Sequence, residues 1–182
     1  MFRAVTILTI VLAVGFSRGT IAGHIEARSL SFTLPIPSTE VISVAGGVEV
    51  RSGGYRPRGD LGDPAIPQHT FRIILPAAVV DESVQVSIQN ITASQQSSEP
   101  VVPLQLYSDD PDSQERDDGL PLTGGTNMAI YAASGFYPTS FLTGRNLSSS
   151  RGWRILDVYV ASVRMNAESG TLAIAESIDI SV

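Results

Sequence analysis

The chain has 182 residues, of which 43% are hydrophobic, and it carries 12 basic and 18 acidic side chains for a formal net charge of −6. Nucleic acid and anionic lipid both repel an acidic chain of this kind, so neither is expected as a partner. The sequence contains no cysteine, which excludes disulfides and thiolate metal sites, and we expect no metal or other cofactor.

Residues 1–22 have the pattern of a secretory signal peptide helix. Arg3 is followed by an apolar run that is too short for a comfortable membrane span, and the small residues Thr20 and Ala22 precede Gly23. We therefore expect cleavage and a mature domain of residues 23–182 with a net charge of −8. That domain would be secreted, extracellular or periplasmic, and not attached to a membrane. The alternative is an uncleaved N-terminal anchor, which Arg18 favours.

The rest of the sequence predicts an all-β fold, an antiparallel β-sandwich. Short runs rich in Val, Ile, Thr and Phe are separated by Pro, Gly and Ser, and helical periodicity is almost absent. Regularly spaced short strands with turn signals between them are typical of sandwiches, and one domain of this length can bury its own core. The predicted strands are residues 29–34, 40–44, 47–51, 69–75, 83–91, 101–107, 128–131, 140–143, 154–165 and 171–182.

Two segments are expected to be irregular. Residues 52–67 contain three Pro and four Gly, which predicts a loop or strap across the sandwich. Residues 108–127 are rich in Asp around the single basic residue Arg116. Such a segment cannot bury apolar surface, so we expect an exposed, mobile loop. The carboxylates at 109–115 lack the spacing and the turn Gly of an EF-hand, so a solvated charge run is favoured over a calcium site.

The end of the chain predicts a β-hairpin. Residues 154–165 and 171–182 are both strand-like, and the loop between them ends in Gly170, which can adopt a positive φ. In the second strand, large apolar residues at positions 172, 174, 178, 180 and 182 alternate with small or polar ones. This alternation predicts one buried face and one face in water.

Three short motifs occur along the chain. They are Gly62-Asp63-Pro64-Ala65-Ile66-Pro67, Phe136-Tyr137-Pro138, and a terminal frame that runs from Arg151-Gly152-Trp153 through Asn166 and Gly170. Their order resembles the N-terminal propeptide domain of gingipain-type cysteine peptidases, which carries Gly-x-Pro-x-Leu-Pro, aromatic-Tyr-Pro and Asn-Pro-x-x-Gly-x-Leu. The resemblance covers about residues 41–182. It departs from the family at Ala167, where Pro is usual, and at Ala161-Ser162, where Tyr-Pro is common.

The residues that carry this resemblance are expected to have structural roles, because Pro sets strand entries and edges and Gly permits tight turns. They are Gly62, Pro64, Pro67, Tyr137, Pro138, Gly152, Asn166 and Gly170.

The resemblance implies a β-sandwich that assists folding of a gingipain-type cysteine peptidase domain and keeps it latent by occluding its cleft. The partner would be encoded separately or in a longer gene product. In such zymogens a loop before the Tyr-containing strand can supply a basic side chain to the cleft, and Arg116 lies at the matching position. A guanidinium could pair with a carboxylate in an acidic specificity pocket. The alternative is an Arg that neutralises its acidic neighbours in solvent.

The sequence does not predict an enzyme. Gingipain-type catalysis needs a cysteine nucleophile, and this chain has none. Of its two histidines, His24 follows the predicted signal peptide and His69 begins a predicted strand. A Ser–His–Asp triad on His69 is disfavoured because no Gly-x-Ser-x-Gly turn occurs. Two alternatives to a stand-alone propeptide-like domain remain, a truncated N-terminal part of a zymogen and an extracellular structural or adhesion module.

Overall fold

The computed structural model describes residues 29–55, 57–104 and 125–182. The predicted signal peptide, His24, Arg116 and the acidic stretch 109–115 lie outside these residues. The described strands are β1 (Ser31–Pro35), β2 (Thr39–Val44), β3 (Gly47–Ser52), β4 (Gln68–Leu75), β5 (Ser87–Ser97), β6 (Leu142–Ser150), β7 (Trp153–Ala161), β8 (Val163–Asn166) and β9 (Thr171–Ser181). A 3-10 turn covers Asp81–Ser83, and a short helix, α1, covers Met128–Tyr131.

Two antiparallel sheets form the body of the protein. One has the strand order β1-β9-β5, with β8 also paired to β9, and the other has the order β4-β7-β6. Apolar side chains from both sheets meet in one main core, so the predicted all-β sandwich is confirmed. The buried core residues are Phe32, Leu34, Ile36, Ile73, Leu75, Val84, Phe141, Leu156, Val158, Val160, Ala173, Ala175, Ile178 and Ile180.

A second, smaller core lies beside the sandwich. The hairpin β2–β3, the strap of residues 57–67 and strand β8 all contribute to it. Its buried residues are Val48, Val50, Ala65, Ile66, Val101, Ala161, Val163, Met165 and Leu172. The predicted strap is therefore an ordered part of the fold, because its apolar residues cover the outer side of β8 and the start of β9.

The terminal run 154–165 is two strands, and predicting it as one strand was wrong. It breaks at Ser162, which is fully buried. The Ser162 amide donates to the carbonyl of Pro67 at 3.1 Å, and the Ser162 carbonyl accepts from the Ala175 amide at 2.9 Å. Before the break β7 lies between β4 and β6, and after it β8 pairs with β9. The predicted hairpin therefore exists only between β8 and β9.

Strand β9 does not keep one apolar face along its length. Its register against β5 shifts by one residue around Glu176, which is a β-bulge. Leu172 and Ile174 consequently pack in or against the smaller core, whereas Ile178 and Ile180 pack in the main core. The alternation predicted these four residues on a single face of β9. The bulge reverses the alternation, so the four residues lie on opposite faces and contribute to different cores.

Two strands have boundaries that differ from the predicted ones by several residues. Strand β5 starts at Ser87 and ends at Ser97, later at both ends than the predicted 83–91. A 3-10 turn ends at Ser83, and pairing with β9 extends from Ser87 to Ser97. Of the predicted strand 140–143, only residues 142 and 143 belong to β6, which continues to Ser150 through a stretch that contains Gly144 and three Ser. Pairing with β7 along this whole length holds these weak strand formers in the sheet.

Two other predicted strands are not strands. Met128–Tyr131 forms the single turn of α1. Within 101–107, the described residues make only isolated bridges, from Val101 to Val48 and from Pro103 to Pro64. No helix among the residues that the structure describes is long and apolar enough to cross a membrane.

The two faces of the β4-β7-β6 sheet should differ in how much a truncated side chain lowers the free energy of unfolding. Leu156 is fully buried and Ile74 is 47% exposed. We expect Leu156→Ala to lower the free energy of unfolding by about 2–5 kcal/mol, because it removes buried methyl groups and leaves a cavity. The control Ile74→Ala should cost about 1 kcal/mol or less. Urea unfolding measures both, and equal costs would contradict this sandwich.

Candidate functional site

The strap holds both ends of the segment 105–124. On one side, the amide of Leu104 donates to the carbonyl of Asp63 at 2.6 Å, and the amide of Gly62 donates to the carbonyl of Leu104 at 3.1 Å. On the other side, the amide of Asn127 donates to the carbonyl of Gly62 at 2.9 Å. The segment itself lies outside the described residues, but the chain leaves and re-enters the described fold at this one place.

The carboxylate of Asp63 strengthens this attachment. Its Oδ1 accepts a hydrogen bond from Asn127 Nδ2 at 2.7 Å, and its Oδ2 accepts one from the hydroxyl of Tyr137 at 3.0 Å. Asp63 is buried, and a buried carboxylate is stable only when donors of this kind replace water. Burial, together with the neighbouring Asp63 carboxylate, raises the pKa of Tyr137 to about 12. The phenol therefore remains a donor at any physiological pH.

Helix α1 follows directly and adds a further contact to this region. It places Tyr131 so that the hydroxyl donates to the carbonyl of Val101 at 2.5 Å. Burial raises the pKa of Tyr131 far above its ordinary value. Val101 precedes the segment and Tyr131 follows it, so this hydrogen bond also joins its two sides.

The motif Tyr137-Pro138 is fixed by β8. The amide of Tyr137 donates to the carbonyl of Met165 at 2.7 Å, the return bond is 2.8 Å, and the peptide bond to Pro138 is cis. Arg164 donates through Nε to the carbonyl of Pro138 at 2.9 Å. Its guanidinium carbon lies 4.9 Å from the ring centroid of Phe136, within the range of a cation–π contact. Strand β8 thus positions the hydroxyl that reaches Asp63.

The prolines of the strap form isolated β-bridges. Pro64 forms an isolated bridge with Pro103, and Pro67 forms one with Pro57. The carbonyl of Pro67 accepts from the amide of Ser162 at the strand break. The structure therefore brings Gly62, Pro64 and Tyr137 together around Asp63, a residue that the sequence analysis included only as part of a motif.

The remaining motif residues lie in turns away from this cluster. Asn166 accepts from the Ser169 amide and donates to the Ser134 carbonyl, both at 3.0 Å. Gly170 has a φ of +59° in the β8–β9 turn, and its carbonyl accepts from the Ser98 amide at 2.8 Å. Gly152, with a φ of +81°, lies in the β6–β7 turn. Asn166, Gly152 and Gly170 therefore help to form turns between strands.

Among the described residues, His69 is not part of a Ser–His–Asp arrangement. Its Nε2 lies 3.0 Å from Ser52 Oγ, but both residues are buried. Its Nδ1 has no hydrogen-bond partner among the described residues, so no carboxylate orients the ring as a triad requires. The ring of Tyr55 packs against it with centroids 4.2 Å apart. The hydrogen bond between Ser52 and His69 therefore joins β3 and β4 inside the fold.

Comparison with known proteins is informative for structure only. No family model and no curated protein match the sequence. Among solved structures, the chain is similar to one from the complex of Porphyromonas gingivalis RgpB pro- and mature domains, with a TM-score of 0.59 and 15% identity over 84% of this chain and 78% of that chain. It is also similar to a structure on the zymogenic latency of gingipain K from Porphyromonas gingivalis, with a TM-score of 0.56 and 19% identity over 84% of each chain. The fold is thus that of a gingipain propeptide-like domain.

The close approach at Gly62 predicts a strong effect of a single methyl group. Gly62 has a φ of +92°, and a Cβ there would lie 1.9 Å from the carbonyl oxygen of Gly125. The matched control is Gly46, which has a φ of +87° and nothing within 4 Å of a Cβ. We expect Gly46→Ala to cost about 1–2 kcal/mol from backbone conformation alone, and Gly62→Ala to cost clearly more.

Amide hydrogen exchange gives the local readout for this pair. In Gly62→Ala the amides of Leu104 and Asn127 should exchange faster, because their acceptors lie on the displaced strap. In Gly46→Ala they should keep their protection. Unchanged exchange at both amides in Gly62→Ala would contradict the proposed attachment of the segment.

Because His69 is buried, the free energy of unfolding should fall as the pH is lowered. Burial lowers its pKa to about 4 from an ordinary 6.5, so the unfolded chain binds a proton before the folded one. The contribution to stability is fully present above about pH 6.5 and is lost as the pH falls towards 4, up to about 3 kcal/mol in total. His69→Gln should show a shallower fall in the free energy of unfolding across this range. Parallel pH profiles for the two proteins would refute the prediction.

Proposed function

We propose that this chain is a non-catalytic, secreted pro-domain that binds a gingipain-type cysteine peptidase, assists its folding and holds it latent by covering its cleft. Three things support the proposal. The fold is propeptide-like, one similar structure is a complex of pro- and mature domains, and the other concerns zymogenic latency. The peptidase would be encoded separately or in a longer gene product. The proposed organisation is a signal peptide of residues 1–22 followed by the domain 23–182.

The observation that carries the proposal is the double attachment at Gly62 and Asp63. A segment that blocks a cleft must be presented from a firm base, because every degree of freedom it loses on binding weakens the complex. Here the base includes the three main-chain hydrogen bonds at Leu104 and Asn127 and the two bonds to the Asp63 carboxylate. The buried cores lie directly behind it.

Within the segment 105–124, Arg116 is the only basic residue. Its guanidinium is the group best suited to an acidic specificity pocket, because its planar fork can bind a carboxylate through two parallel hydrogen bonds. The flanking Glu115, Asp117 and Asp118 oppose entry into such a pocket. We propose that only the Arg116 side chain enters the cleft, while its acidic neighbours stay in water at the rim.

Inhibition by purified domain tests this role. Mature protein should slow a gingipain-type peptidase from the same organism, and Arg116→Ala should raise the inhibition constant by about 10-fold or more, as expected for the loss of a buried charged pair. Arg58→Ala is the matched control, since it removes an exposed arginine from the strap. An unchanged inhibition constant for Arg116→Ala would remove Arg116 from the proposal, and no inhibition by the unaltered domain would refute the proposal itself.

A further inference from the structure

A second surface lies at the turn between β6 and β7. An open cleft of about 280 Å³ is lined there by Ala77 and by residues 149–154. Trp153 lies in this cleft with 59% of its surface exposed. A large indole left in water is unusual for a side chain that contributes so much when buried, and Trp is among the residues that dominate protein–protein contacts.

The cleft is basic on an otherwise acidic domain. Arg151 and Arg154 line it, and no carboxylate does. The ion pairs of the described part of the chain use Arg51, Arg72 and Arg145, so the two cleft arginines have no acidic partner among the described residues. Two unpaired guanidinium groups beside an exposed indole form a site for a carboxylate-bearing ligand.

The backbone conformation of the β6–β7 turn also supports a binding role for Arg151. Arg151 has a φ of +50° and Gly152 one of +81°, the pattern of a two-residue hairpin turn. Arg151 is the one residue other than Gly with a positive φ in the described chain. Asn or Gly suits that position better, so local turn formation does not account for an arginine there.

The free edge of β6 decides which kind of ligand fits. Strand β6 pairs with β7 on one side only and is the edge of its sheet within the described residues. Alternate residues along it direct their main-chain N–H and C=O groups away from β7. Ser149 and Ser150 belong both to this edge and to the cleft. An extended peptide can add to such an edge as a further strand, which a saccharide cannot do.

We infer that the β6 edge and the adjoining cleft bind an extended, carboxylate-rich peptide segment of a partner protein. The peptide backbone pairs with β6, its carboxylates bind Arg151 and Arg154, and an apolar side chain packs on Trp153. Strand β6 contains no acidic residue. Its single charge, Arg145, is paired with Asp81, so the positive charge open to an acidic strand lies at the Arg151–Arg154 end of the edge. This inference depends neither on the proposed role of Arg116 nor on peptidase inhibition.

The single tryptophan of the chain provides a direct probe. Because Trp153 is that tryptophan, its fluorescence reports on the cleft alone. The ligand used is a synthetic eight-residue peptide of alternating Glu and Val, with a Gln-Val peptide as the uncharged control. We expect a saturable change in fluorescence with the Glu-Val peptide, at least a 10-fold weaker response with the Gln-Val peptide, and weakening of the first by added salt.

Variants of the mature domain complete the test. The double variant Arg151→Asn and Arg154→Gln should bind the Glu-Val peptide at least 10-fold more weakly, and Arg151→Asn retains a residue that tolerates the positive φ. Arg58→Gln removes one positive charge at an exposed position elsewhere and should bind normally. The inference is overturned by the absence of a saturable response at low salt, by equal affinity of the double variant, or by a sulfated oligosaccharide that binds where the peptide does not.

Discussion

The break at Ser162 is the constraint on which the rest of the fold depends. A single run of backbone, from Trp153 to Asn166, belongs to both sheets because it changes partners at this buried residue. The main-chain groups of Ser162 are satisfied by Pro67 on the strap and by Ala175 on β9. This satisfaction matters because an unpaired polar group in a core costs free energy comparable to a lost hydrogen bond. One position thereby ties together the strap and both layers.

The candidate site follows from that arrangement. Once β8 is paired with β9, its Met165 forms main-chain hydrogen bonds with Tyr137, and the hydroxyl of Tyr137 reaches Asp63. Asp63 and Gly62 then hold the chain on either side of 105–124. Each step is a specific contact between buried or half-buried groups, so the base of the proposed inhibitory segment is held by hydrogen bonds on both sides. The basic cleft at Trp153 lies at the other end of β7, so the two proposed binding surfaces do not share residues.

The sequence analysis succeeded where local pattern and tertiary structure agree. Alternating or β-branched runs such as 47–51 and 69–75 are strands because their side-chain period matches a half-buried sheet. It was wrong for Met128–Tyr131, whose four residues are too short a window to separate a strand from one helical turn. It also missed most of β6, in which Ser and Gly are held by cross-strand pairing that no local preference records. The bulge at Glu176 is a third case, since one extra residue moves Leu172 to a different core.

The amino-acid sequence by itself determined the all-β class, the places of most strands, the motif order and the lack of a thiol nucleophile, because these depend on residue type and short-range period. Only the tertiary structure decided that Asp63 accepts from Asn127 and Tyr137, residues 64 and 74 positions away. It also decided that, among the described strands, β6 is left at the edge of its sheet, and that Ala77 lines the same cleft as residues 149–154. Such groupings depend on how strands from distant parts of the chain are ordered and registered, and a single sequence does not encode that order in any local pattern.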